Sequence, residues 1–230
     1  NHYDPATKFS SIDRAGRYAF GNQPRIALWN LQQLAMALSP LFADPASLQA
    51  GLQAYGVEFG RADRDNIARK LGLSECTDDD LALMRALQAW MQRAEVDMTL
   101  FFRTLGDVEA DALTPDSFAD AFYDEGKRNA CRADLASWLS RYRTRVQGDV
   151  LSVDERRETM RLANPKFVLR NWLAQQAIER AEAGDESGIH DLLEVMRHPY
   201  EDQPGNEFFA GKRPDWARDK AGCSMLSCSS

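Results

Sequence analysis

No stretch of about 18 apolar residues occurs in these 230, so no segment is long enough to cross a bilayer as a helix. The amino terminus lacks the charged and apolar regions of a signal peptide. Positive charge is in deficit: 28 Lys and Arg stand against 35 Asp and Glu, a net charge of -7. That balance argues against nucleic acid and anionic membranes as partners, since both call for clustered cations. Histidine is scarce, at positions 2, 190 and 198 only. Even with Cys223 and Cys228 added, the spacings match no common zinc pattern. Four cysteines, at 76, 131, 223 and 228, are too few for a disulfide scaffold and fit an intracellular compartment. There is no Gly-x-Ser-x-Gly elbow, no phosphate-cradling Gly-x-x-x-x-Gly-Lys-Ser/Thr loop, and no strand-borne lysine to pair with a helical glutamate. Serine hydrolysis and self-sufficient phosphoryl or nucleotidyl transfer are therefore not expected of these residues alone.

What remains is helical. Apolar residues make up 44% of the chain and charged residues 27%, an ordinary globular balance with ample material for a core. Strand signals are nearly absent, so the expected class is all-α. Gln23-Pro24 opens a helix to about Leu38, stopped by Ser39-Pro40. Ile26, Leu28, Trp29, Leu31, Leu34, Met36 and Leu38 leave it apolar nearly all round, which predicts a buried helix with Trp29 in the core. Two helices are expected at 46–59 and 61–70, the second ending at Gly72.

Thr77-Asp-Asp-Asp80 reads as a capping box, its carboxylates at a helix start and not around a metal. The helix it opens is expected to be the longest, because Met84, Leu87, Met91, Ala94, Met98, Phe101 and Leu105 fall at alternating steps of three and four. That Met-rich seam is either core or an adaptable partner surface. A loop at 106–115 leads to a short helix from Pro115 to about Tyr123. A helix at 130–147 carries Cys131, Leu135, Trp138, Tyr142 and Val146 on one face, with Cys131 expected to be a buried, inert thiol. Ser152-Val-Asp-Glu155 is a second capping box. Helices are expected at 168–183, burying Leu169, Trp172, Leu173 and Ile178, and at 186–197. Beyond Pro199 no period is visible, and Phe208, Phe209 and Trp216 suggest a segment pinned to the body. A boundary near Gly148 would divide the chain into 1–150 and 151–230.

Cys228 stands two residues from the carboxyl terminus, where a thiol has little core to pack into, so on this feature alone it reads either as a reactive thiol or as an incidental cysteine of a frayed end. The tail Cys223-Ser-Met-Leu-Ser-Cys228-Ser-Ser230 accompanies Gly16-Arg-Tyr-Ala-Phe-Gly-Asn-Gln-Pro24, Ala27-Leu-Trp-Asn-Leu-Gln32, Asn164-Pro-Lys-Phe-Val-Leu-Arg-Asn-Trp172 and Tyr200-Glu-Asp-Gln-Pro204. Together these resemble the selenoprotein O family, along essentially the whole chain.

The resemblance implies a protein-kinase-like fold and transfer of AMP from ATP, with magnesium, to hydroxyl groups of protein substrates. The first 150 residues would then be a C-lobe portion, with residues 3–22 as the end of the activation segment and helix 24–38 as its central hydrophobic helix. Residues 151–230 would be a helical extension with an irregular tail. Family members carry selenocysteine or cysteine at the antepenultimate position, where Cys228 falls. They are about twice as long, and their nucleotide lobe, catalytic aspartate and metal-binding Asn and Asp precede His2-Tyr3-Asp4-Pro5. The chain is thus expected to be a C-terminal, catalytically incomplete part of an adenylyltransferase, with no catalytic, cofactor or metal residue of its own. Its redox pair would be Cys228 with Cys223. Some members have an activation-segment cysteine that pairs with the tail; here that region holds Phe9-Ser-Ser-Ile12. A bacterial cytoplasm is the implied location, or a mitochondrion in a eukaryote, and an uncovered apolar helix would cause self-association. Two other readings stay open: a helical protein-binding module using the Met-rich seam, and a free-standing Cys223/Cys228 thiol–disulfide element.

Overall fold

Short polar side chains set where the helices begin. The Thr77 hydroxyl accepts the Asp80 amide at 3.3 Å, and the Asp80 carboxylate accepts the Thr77 amide at 2.9 Å, closing the expected box. Ser152 and Glu155 repeat it. Asp97 and Asp124 cap two further starts by accepting the amides of Leu100 and Lys127. The computed structural model describes residues 2–220, 222 and 223. Its helices are α1 (Gln23–Leu38), α2 (Ala46–Leu71), α3 (Asp78–Ala94), α4 (Met98–Asp107), α5 (Glu125–Ala130), α6 (Arg132–Gln147), α7 (Val153–Ala163), α8 (Asn171–Glu182), α9 (Ser187–Arg197) and α10 (Glu207–Ala210), with a 3-10 helix at Pro115–Ala121. Among the described residues there is no strand, only the isolated bridges His2–Asp97 and Val96–Phe122, so the fold is all-α. None of these helices is long and apolar enough to cross a membrane.

Two expectations about helix extent, and one about the burial of Cys131, are corrected. The helices expected at 46–59 and 61–70 are one, the 26-residue α2. A Cβ placed on Gly51, Gly56 or Gly60 would meet nothing, so these glycines weaken a solvent-facing helix without breaking it. The long helix expected from Thr77 to Leu105 is two. Glu95 turns left-handed at φ 52°, Val96 leaves the helix to bridge Phe122, and Asp97 caps a fresh start. The helix expected at 130–147 is found as α6, but Cys131, expected to be buried on its face, is half-buried at the α5–α6 junction.

The broken seam still forms one core. Met84, Leu87, Met91, Ala94, Phe101 and Leu105 are all buried, so the Met-rich stripe is packing and not a partner surface. Phe101 stacks on Phe118 at 4.4 Å and Trp138 on Tyr142 at 5.2 Å. The polar tips of these rings are satisfied: Trp138 donates to the Leu83 carbonyl and Tyr142 to that of Leu71, each at 2.9 Å. Met160 of α7 completes this cluster. A second, smaller cluster joins Trp172 and Leu173 of α8, Leu192 of α9, Ala217 and Cys223. Leu169 and Ile178, expected inside, face outward, because the buried stripe of α8 runs through Trp172, Leu173 and Ala177.

Helix α1 overturns its expected burial. Ile26 is its one buried residue, while Trp29 is 41%, Leu34 52% and Met36 68% exposed. Its packing partners are α2 and the short 3-10 turns at its ends. The sequence makes α1 apolar on every face, yet the described residues cover only one. Trp29 instead lies under the Arg17 guanidinium, 4.1 Å from its centroid.

Candidate functional site

Four stretches distant in sequence meet at the break between α3 and α4. Tyr3 donates its amide to the Val96 carbonyl at 3.1 Å, and Asp97 donates its own to Ala121 at 2.8 Å. Backbone geometry thereby fixes the amino-terminal segment against the restart of α4. The Asp97 carboxylate points inward and receives both arms of Arg170, Nη2 at 3.1 Å to Oδ1 and Nη1 to Oδ2. The Tyr123 hydroxyl donates to Oδ2 at 2.6 Å, and the Leu100 amide to Oδ1. Tyr123 is tied in turn to the segment after α10. Arg213 donates its amide to the phenol oxygen at 3.4 Å and holds its guanidinium 5.1 Å over the ring, while Lys212 donates to the Phe122 carbonyl at 2.7 Å.

The electrostatics follow from burial. Asp97 and Arg170 are 0% and 2% exposed. Desolvation alone would raise the Asp97 pKa, but the hydrogen bonds and charge of Arg170, with Tyr123 and the Leu100 amide, outweigh it and hold the carboxyl below its usual range. Burial, then the Asp97 charge, drives the Tyr123 hydroxyl well above its ordinary value, so it stays a donor. Both carboxylate oxygens are occupied, which leaves this group no acid–base role; it is a rigid anchor. Beside it His2, Glu95, Lys127, Arg213 and Arg218 help line a cavity of about 340 Å³. Glu95 is paired with Lys127, and burial lowers the His2 pKa.

A second junction brings together two of the motifs that carry the resemblance. Lys166 and Phe167 donate their amides to the Pro199 carbonyl at 2.8 and 3.0 Å. Arg103 reaches the Tyr200 carbonyl at 3.2 Å and Asp202 at 3.3 Å, and Asp202 also accepts from Arg161 at 3.0 Å and Lys166 at 2.8 Å. Asn164 exchanges hydrogen bonds with Lys70, donating to its carbonyl and accepting from its ammonium. Residues 164–172 are thus clasped to 199–204 on one side and to Asp97 on the other.

Asp97, Tyr123, Arg170 and Asp202 were not singled out individually by sequence reading. Arg170 and Asp202 lay inside quoted motifs, and Asp97 is the charged interruption of an otherwise apolar seam, the one signal that could have marked it.

Cys223 is 4% exposed and packs in the α8–α9 cluster, and burial raises its thiol pKa. The turn that delivers it needs Gly222, at φ 79°, since a Cβ there would sit 2.1 Å from the Gln175 side-chain oxygen. Cys228 lies outside the described residues. Cys76 and Cys131 are half-buried free thiols. Among the described residues no three His, Cys, Asp or Glu side chains are placed to hold a metal ion.

Comparison with known proteins gives these junctions a family. The model for "Protein adenylyltransferase SelO" matches residues 1–197. The chain is 57% identical over 229 residues to "Protein nucleotidyltransferase YdiU" of Xanthomonas axonopodis pv. citri (strain 306), covering 99% of this chain and 44% of that protein. The proteins of the same name from Xanthomonas euvesicatoria pv. vesicatoria (strain 85-10), at 57%, and Xanthomonas oryzae pv. oryzae (strain MAFF 311018), at 56%, match with the same coverage. The chain therefore spans under half the length of these curated relatives, and along that span it belongs to the SelO family of protein adenylyltransferases.

Proposed function

We propose that this chain is the carboxyl-terminal, non-catalytic part of an adenylyltransferase that moves AMP from ATP to hydroxyl groups of protein substrates. The single observation that carries the reading is the family match at 57% identity, confined to 44% of the relative's length. Helix α1 supports it, since a 16-residue helix with this much exposed apolar surface suits an element that further polypeptide covers. In this reading residues 1–150 are a kinase-like C-lobe portion, residues 151–230 a helical extension, and the Asp97–Arg170–Tyr123 anchor fixes the segment from His2 relative to both.

Among the described residues no three His, Cys, Asp or Glu side chains are placed to hold the metal of Mg–ATP, which is in keeping with this reading. The nucleotide seat belongs, in this reading, to polypeptide outside these 230 residues, and no step is assigned to residues here. The tail supplies a redox element, with Cys228 as the reactive thiol and Cys223 as its partner. The two thiols would exchange with a small-molecule disulfide, giving one intrachain disulfide and two small thiols, and Cys223 must leave its packed site to take part.

The test is reconstitution. Co-expression of this chain with the remaining portion of a Xanthomonas relative should give a complex that transfers AMP from α-labelled ATP to protein. The isolated chain should show no micromolar Mg–ATP binding by calorimetry. Micromolar binding by the chain alone would overturn the reading.

A further inference from the structure

Two arginines line the cavity beside Asp97 without a carboxylate to hold them. The Arg213 guanidinium lies 5.1 Å over the Tyr123 ring, and its buried Nε has no hydrogen-bond partner among the described residues. Arg218 has no carboxylate within ion-pair distance among them. Stacking fixes the plane of a guanidinium and leaves its edge donors for an incoming oxygen. The backbone that carries both arginines is held on either side. Lys212 donates to the Phe122 carbonyl at 2.7 Å, and Ala217 is 0% exposed in the second cluster. Donors placed in advance leave little ordering to oppose a ligand. Lys127 and four carboxylates share the cavity. Glu95 is ion-paired with Lys127, and Asp124 accepts the Lys127 amide at 2.7 Å as a helix cap. Lys127, with the charges of His2 and Arg218 behind it, holds Glu95 below its usual range, so one carboxylate already meets several cations. Asp215 and Asp219 are exposed, where water and salt screen them.

We propose that this cavity of about 340 Å³ is a binding site for a phosphoryl group, held by Arg213 and Arg218 with Lys127 at its side. Charge selects the ligand. A phosphoryl group carries close to two negative charges at neutral pH, which two unpaired guanidiniums match, whereas a carboxylate carries one. Shape selects it too. Lys127 comes from α5 and the arginines from the segment after α10, and a tetrahedral group offers oxygens to both elements. A planar carboxylate is satisfied by a single guanidinium fork. Asp215 and Asp219 oppose the same anion, which sets the affinity near millimolar and not below. The site is independent of the transferase reading, in which Mg–ATP is seated outside these residues.

The experiment is titration of inorganic phosphate into the full 230-residue chain at constant ionic strength, followed by amide NMR. Saturable shifts are expected at Glu95, Lys127, Arg213 and Arg218, with a Kd on the order of 1 mM. Arg218→Gln alters an exposed position, so folding is not at risk, and it should weaken binding about tenfold. Arg25→Gln, at an exposed arginine of α1, should leave binding unchanged. A parallel arm with AMP assigns the source. Equal affinities support a site for the phosphoryl group alone, and tighter AMP supports one for a nucleotide monophosphate. Absence of a saturable shift below about 20 mM phosphate overturns the proposal. So does equal affinity in wild type and Arg218→Gln. Acetate binding as tightly as phosphate would make this a carboxylate site and also overturn it.

Discussion

Arg170 closes on Asp97 across 73 positions of sequence, and neither side chain has appreciable contact with water. A buried pair of this kind adds little over a well-packed apolar pair, but breaking it strands a charge. Arg170→Met should therefore cost about 3–5 kcal/mol in urea unfolding. Arg170→Met combined with Asp97→Leu should recover part of that loss, and a double variant no better than the single one would show the charge is not what matters.

The same pair sets a pH dependence. The Asp97 pKa is lower in the folded chain than in the unfolded one, so the unfolded state binds more protons between the two values. Its contribution is fully present above the unfolded carboxylate value of about 3.9 and is lost as pH falls through the folded value. Unfolding free energy should thus fall more steeply with acid in wild type than in the Arg170→Met/Asp97→Leu variant, measured by urea titration between about pH 5 and pH 2.

Tyr123→Phe removes a donor from Asp97 and an acceptor from the Arg213 amide at one stroke. A loss of about 1–3 kcal/mol is expected, since a buried carboxylate loses one of its bonds. The local sign should be faster amide exchange at Arg213 and easier proteolysis of 211–220, with α6 unaffected.

These partners also mark where sequence reading stops. The capping boxes at Thr77 and Ser152 were legible because four consecutive residues contain their whole chemistry. The break at Glu95 was not, because its causes are remote: Phe122 bridges Val96, and Arg170 holds Asp97. Periodicity ran straight through it, since the seam residues stay buried on both sides. The expected division between 46–59 and 61–70 falls at Gly60, yet α2 passes through it with open space alongside. For α1 the pattern correctly gave a helix and an apolar surface. Whether another surface covers it is not written in its own residues. The cysteines show the same limit, for spacing placed Cys223 near Cys228 but could not say that α8 and α9 would bury it.

Exposure of α1 makes a quantitative difference. Trp29→Ala should cost less than about 1.5 kcal/mol, whereas Trp138→Ala, a buried ring, should cost about 3–5 kcal/mol. The uncovered face also predicts concentration-dependent association. Leu34→Glu with Met36→Glu should shift sedimentation toward monomer without lowering the urea midpoint appreciably. A monomer at all concentrations in wild type would show that the face is not adhesive.

Cys223 should be the slow thiol. Its side chain is 4% exposed in the α8–α9 cluster, while Cys76 and Cys131 are half-buried. Burial raises the pKa of both Cys223 and Cys76, so the difference in rate rests on access to the sulfur. Alkylation of native protein, followed by peptide mass mapping, should label Cys223 at least about tenfold more slowly than Cys76. In urea the rates should converge. Because the folded pKa lies above the unfolded value, the stability from keeping this thiol neutral is present below about pH 8.5 and declines as pH rises through the folded value. Any disulfide to Cys228 must first draw Cys223 out of contact with Leu173 and Leu192. Mild oxidation should therefore form that bond slowly in native protein and quickly in Leu192→Ala, where the cover is thinned. Equal rates in both would mean that packing does not guard the thiol, and that Cys223 is held by its backbone turn alone.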